Sequence, residues 1–103
     1  MAAPTRAERT VRLPQDTSAA RCARRMLREV AEVVGRDDRV EDFEVIVSEL
    51  VTNAVDHGEP PIELRVVIDG GYRVEVTDCS PNQPRLVRAE PQRRRGRGVL
   101  LVD

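Results

Sequence analysis

Hydrophobic positions change period along this chain, and the changes mark its elements. "TVRLP", residues 10–14, is a short strand candidate closed by Pro14. In "DTSAARCARRMLREVAEVVG" the apolar residues Ala19, Ala23, Met26, Val30 and Val33 or Val34 recur at helical spacing. Asp16, Thr17 or Ser18 can cap that helix, and Gly35 can stop it. A second helix is expected from near Asp37 or Asp38, burying Val40, Phe43, Val47, Leu50, Val51 and Ala54 and ending at Gly58, Pro60 and Pro61. The period then shortens to two. "IELRVVID" sets Ile62, Leu64, Val66 and Ile68 against Glu63, Arg65 and Asp69, and "YRVEVTD" repeats the alternation with Tyr72, Val74 and Val76. The "DGG" between them, Asp69 to Gly71, predicts a tight antiparallel hairpin.

Beyond the hairpin the periodicity is lost. Cys79 to Gly98 contains three prolines and several arginines and reads as a long loop, after which "GVLLVD" reads as the start of a helix. The expected fold is therefore α+β: a two-layer sandwich with two helices on one face of a mainly antiparallel sheet. The other sheet face, with Glu63, Arg65, Arg73 and Glu75, is left for water or a partner. Residues 1–8 are expected to be a flexible tail and residues 9–103 a single domain.

Composition narrows the possibilities. Only 2% of the 103 residues are aromatic, so the core must be aliphatic, built mostly from Val and Leu. Charged residues make up 34%, but the net charge is −1, which provides no general attraction to nucleic acid or to an acidic membrane. No apolar run approaches the ~18 residues needed to span a bilayer, and "MAAPTRAERT" lacks the apolar core of a secretion signal. Cys22 and Cys79 have no motif spacing and read as free thiols, consistent with a cytoplasmic location.

One stretch does not fit a purely structural helix. "SELVTNAVDHG" places Glu49, Asn53 and His57 four residues apart, a polar stripe along one side. Such a stripe also suits a solvent edge. Its candidate chemistry comes from elsewhere in the chain. Asp78, at a strand end, can accept a hydrogen bond from an exocyclic amine. Gly96 and Gly98, at a helix start, would let backbone N–H groups approach phosphate. An Asn carbonyl oxygen suits Mg²⁺. "RRRGR", Arg93 to Arg97, reads as a solvated lid, with Arg97 the candidate for phosphate contact; without an aromatic platform it is not a nucleic-acid site.

Three segments in order, "SELVTNAVDHG", "VTDCSP" and "GRGVLLVD", resemble the N-box and two glycine-box regions of the histidine-kinase-like ATPases (the Bergerat fold). Within that superfamily the resemblance is to the anti-sigma-factor serine/threonine kinases. It implies Glu49 as general base, Asn53 as the Mg²⁺ ligand, Asp78 as the adenine contact, Gly96 and Gly98 at the end of a lid over the phosphates, and His57 in a supporting place beside them. It implies ATP and Mg²⁺ as ligands and phosphoryl transfer to a serine of an anti-sigma-factor antagonist. A sigma factor and a second copy of the chain are further implied partners. The alternative is a module that keeps the fold but acts by protein binding, with little or no catalysis. This chain departs from the superfamily at Cys79, Ser80 and Pro81, where glycines are expected. The family also continues past the segment corresponding to "GVLLVD" into further strands, so the domain is expected to be incomplete at its C-terminus.

Overall fold

The computed structural model describes residues 4–36, 38–79, 85–89 and 99–102, the last two segments by their backbone. The element order is β1 (Ala7–Leu13), α1 (Ala19–Val34), α2 (Val40–His57), β2 (Ile62–Ile68), β3 (Tyr72–Thr77), β4 (Arg85–Ala89) and β5 (Val99–Val102). The five strands form one sheet in the order β1-β2-β3-β4-β5, with every neighbouring pair antiparallel. The predicted α+β sandwich is the fold observed. β1 starts at Ala7, inside the segment expected to be a tail.

α1 ends where its residues dictate, whereas α2 begins at Val40, just after the expected Asp37 or Asp38. Ser18 is the N-cap of α1, and Asp16 braces it by accepting from the Ser18 backbone N–H at 2.8 Å. Gly35 closes α1 in the left-handed region, φ 70°, where its N–H and that of Arg36 reach the last turn of carbonyls. In α2 the buried residues are Val40, Phe43, Val47, Leu50, Val51 and Ala54, the apolar face expected from the spacing. In α1, Val34 is buried and Val33 is half exposed, and Leu27 and Ala31 join the buried set. The hairpin pairs Ile68 with Tyr72 around Asp69–Gly71, and Gly70 takes φ 107°.

The core lies between the helices and one sheet face. Leu13 from β1, Ile62, Leu64, Val66 and Ile68 from β2, and Tyr72, Val74 and Val76 from β3 pack against the two helices. α1 lies over β1 and β2, and α2 over β2 and β3. That arrangement leaves β4 and β5 as a sheet extension beyond the helix layer.

The opposite face carries charge. Val67 points away from the helices yet is only 1% exposed. It stands between Glu8 and Arg73 in the strand register. Arg65 and Arg6 both pair with Glu8, at 2.7 and 2.9 Å, while Arg6 and Arg73 both approach Asp69 at 3.9 Å. These ion pairs flank Val67 on the face away from the helices.

Two expectations need correction. The segment after Cys79 is not all loop, because Arg85–Ala89 forms β4, which pairs along β3. "GVLLVD" does not begin a helix: Val99–Val102 is β5, paired with β4. Four apolar residues in a row carry no period that distinguishes strand from helix. Starting a helix fixes several residues for one hydrogen bond, whereas a strand laid along β4 gains ladder bonds at once. Local pattern could not reveal β4's free edge.

Candidate functional site

The flanks of α2 are defined by its neighbours. On one side Ser48 accepts a hydrogen bond from Arg24 of α1 at 2.8 Å, and Glu44 pairs with Arg28 of α1. At roughly 100° per residue, Asn53 lies about 140° around the helix from Ser48. Asn53 therefore lies on the flank away from α1. Because α1 covers β1 and β2, that flank borders the sheet extension of β4 and β5.

The polar stripe is not parallel to the helix axis. Four residues turn about 400°, so each step of the stripe drifts about 40°. Starting from the outer crest at Glu49, the drift carries Asn53 and then His57 down toward the sheet. All three side chains are exposed, as a solvent edge would be. The stripe ends beside Gly58, the C-cap residue of α2.

Asp78 meets it there. This residue follows β3 directly, and its half-buried carboxylate is packed against Gly58. Next to this contact the Cys79 N–H donates to the Glu59 carbonyl at 2.8 Å. The end of β3 and the turn after α2 are thus fastened together. Asn53 stands five residues before Gly58, about 7.5 Å back along the axis, and Glu49 about 13.5 Å back. The structure thus brings Asp78 to the end of α2 that carries His57, with Asn53 more than a turn back and Glu49 farthest along the same stripe. Gly96, Arg97 and Gly98 lie outside the described residues. The helix start expected immediately after them is instead strand β5.

The chemistry of this place follows from its parts. The C-terminal end of α2 is the negative pole of the helix, and Asp78 adds a carboxylate. Hydrogen-bond donors approaching from the open side are therefore favoured there. One turn and more toward the middle of the helix, Asn53 presents an amide whose oxygen suits a hard cation. Among the described residues no group of three or more His, Cys, Asp or Glu could hold a metal by itself. A donor set of one amide fits Mg²⁺ that keeps its waters and shares phosphate oxygens, rather than a closed protein cage. Two cavities lined by described residues lie elsewhere. One of about 220 Å³ sits between Asp16, Thr17 and Ala20 of the α1 entry and Thr52, Val55 and Asp56. The other, about 270 Å³, lies where α1 ends, beside Arg28, Gly35, Arg36 and Val40.

Sequence reasoning missed the role of Gly58, which it treated only as a helix stop. The "HG" pair gave no sign that a strand end would be packed on the glycine.

The architecture is a sheet roofed by two helices, with an aspartate at a strand end packed on the glycine that closes the second helix. The family model of the histidine kinase-like ATPase domain matches residues 13–103, and the chain belongs to that family. No curated protein matches the chain. Among the described residues no helix is long and apolar enough to cross a membrane.

Proposed function

We propose that this domain binds Mg²⁺–ATP beside α2 and acts as a regulator of the anti-sigma-factor kinase type, phosphorylating a serine of an antagonist protein. The observation that supports this best is the packing of Asp78 on Gly58, at the end of α2 toward which the Glu49–Asn53–His57 stripe winds. Adenine lies at Asp78, whose carboxylate accepts from the exocyclic amine. The triphosphate runs back along the α2 flank, where Asn53 holds Mg²⁺ and His57 stands beside the phosphates. Gly96, Arg97 and Gly98 belong to the lid in this reading. Bound there, Mg²⁺ neutralises charge on the phosphate oxygens.

Glu49 is the general base. Its carboxylate takes the proton of the acceptor serine hydroxyl, and the seryl oxygen forms its bond to the γ-phosphorus as the bond to the bridging oxygen of ADP breaks. The exposure of Glu49 on the crest of α2 suits this role, since a protein-borne serine must reach it from outside. A sigma factor as a further partner, a homodimer and a cytoplasmic location belong to the same proposal.

A second reading has its own support. The residues after Gly98 are strand rather than helix, which removes a helix N-terminus from the expected phosphate cradle. A binding module with weak or absent transfer is consistent with that. Thermal unfolding with and without Mg²⁺–ATP is the first test. At a hundred times its dissociation constant the nucleotide should add about 2.7 kcal/mol of stability. A Tm unmoved by millimolar Mg²⁺–ATP would end the nucleotide reading. Binding without transfer of labelled phosphate to any protein serine would leave the module.

A further inference from the structure

Gly58 ends α2, yet its backbone does not require glycine. Its φ of −87° and ψ of −176° are ordinary extended values that any residue adopts. Space is what requires it. A Cβ at this position would overlap the Asp78 carboxylate, stand 2.8 Å from Asp78 Cγ and come within 2.7 Å of the Ala54 carbonyl oxygen. Backing the residue away would strain the Gly58 N–H bond to that same Ala54 oxygen, now 2.8 Å long, and the neighbouring bond from Cys79 N–H to the Glu59 carbonyl. The Ala54 carbonyl, being backbone, can give only a little, so the larger movement falls to the flexible Asp78 side chain, which must leave.

We propose that Gly58 is a specificity-determining position: its missing side chain is the space in which the Asp78 carboxylate is held for reading a nucleobase. The inference rests on the nucleotide reading above and extends it to a residue that never touches the base. Residues 58–59 and 78–79 form a two-point clamp that holds the carboxylate at the C-terminal end of α2. An acceptor fixed in that place favours a purine with an amino group at C6. It disfavours one with a carbonyl oxygen there, which would bring acceptor against acceptor. Gly58 is thus a positioning residue for ATP over GTP, acting through Asp78.

The test uses the whole chain as wild type, Gly58→Ala, Asp78→Asn and the double variant, titrated with ATP, GTP and inorganic tripolyphosphate. Gly58→Ala should weaken ATP by about tenfold or more, the loss of one charge-assisted hydrogen bond, and leave tripolyphosphate unchanged. The ATP-over-GTP preference should collapse, and the substitution should cost nothing further in the Asp78→Asn background. Without any nucleotide, the ¹³Cγ resonance of Asp78 should move in Gly58→Ala. Intact base preference in Gly58→Ala, equal losses of ATP and tripolyphosphate, additive losses in the double variant, or an unmoved Asp78 resonance would each overturn the inference while the nucleotide reading stands. A wild type that binds none of the three ligands overturns both. Should Gly58→Ala fail to fold, Asp78→Asn, which keeps the side-chain shape, carries the test, and an unchanged preference for ATP there is equally fatal.

Discussion

The Tyr72 hydroxyl donates to the backbone carbonyl of Arg36 at 3.1 Å, tying the start of β3 to the α1–α2 connection. The Tyr72 ring stacks on Phe43 of α2, centroids 5.1 Å apart, and the Arg36 guanidinium lies 5.9 Å from the Tyr72 ring centre. The chain's one Tyr and one Phe are thus spent on a single joint between strand, helix and connection. Tyr72→Phe keeps the stack and removes the hydrogen bond, so it should lower stability by about 1 kcal/mol. Tyr72→Ala should cost about 3–5 kcal/mol. Urea unfolding of both variants checks the order, and a Tyr72→Phe as damaging as Tyr72→Ala would contradict it.

Gly35 is a different kind of glycine. Its φ of 70° is left-handed, so Gly35→Ala should destabilise the domain by about 1–2 kcal/mol through backbone strain alone. Gly35→Asn, which tolerates that region better, should cost less. The two midpoints in denaturant provide the comparison.

The ion pairs of Glu8 and Asp38 predict an acid response. Arg65 first, and then Arg6, hold the Glu8 carboxyl below its usual range through hydrogen bonds. Arg36 does the same for Asp38. A carboxyl whose folded pKa is depressed binds its proton more readily in the unfolded chain. Its contribution is therefore complete above the ordinary carboxylate range near pH 4 and is lost as the pH falls through the lower folded value. Tm should drop below about pH 4, less steeply in Glu8→Gln, and the difference should shrink in 1 M salt because these pairs are exposed. An identical acid profile for Glu8→Gln and wild type would show that the Glu8 pairs carry no acid-linked stability.

Two of the stripe residues, Glu49 and Asn53, should separate in their effects. Glu49→Ala should reduce phosphate transfer by about 10²–10⁴-fold and leave most of the nucleotide affinity. Asn53→Ala should weaken Mg²⁺–ATP and spare metal-free nucleotide. Single-turnover transfer and calorimetry with and without Mg²⁺ distinguish them, and undiminished transfer by Glu49→Ala would remove it as base.

Much of this was legible along the chain because burial imposes a period. The six residues expected on the buried face of α2 are the six it buries, and "DGG" falls at the hairpin. Val67 escaped such reasoning, since alternation alone assigns it to the solvent face. It is buried all the same, between Glu8 of a strand distant in sequence and Arg73 in the sheet register. β4 and β5 escaped for a related reason. "RLVRA" and "VLLV" are too short to declare a period, and their state depends on a neighbouring strand's free edge.

By itself, then, the amino-acid order determined the two helices, the hairpin, the aliphatic core and the polar stripe of Glu49, Asn53 and His57, because each rests on spacing between near neighbours. Tertiary structure alone decided that α1 takes one flank of α2 and leaves Asn53 on the other, and that Asp78 lodges on Gly58. Those are contacts between elements, and no local period encodes which side chain will arrive against a given glycine.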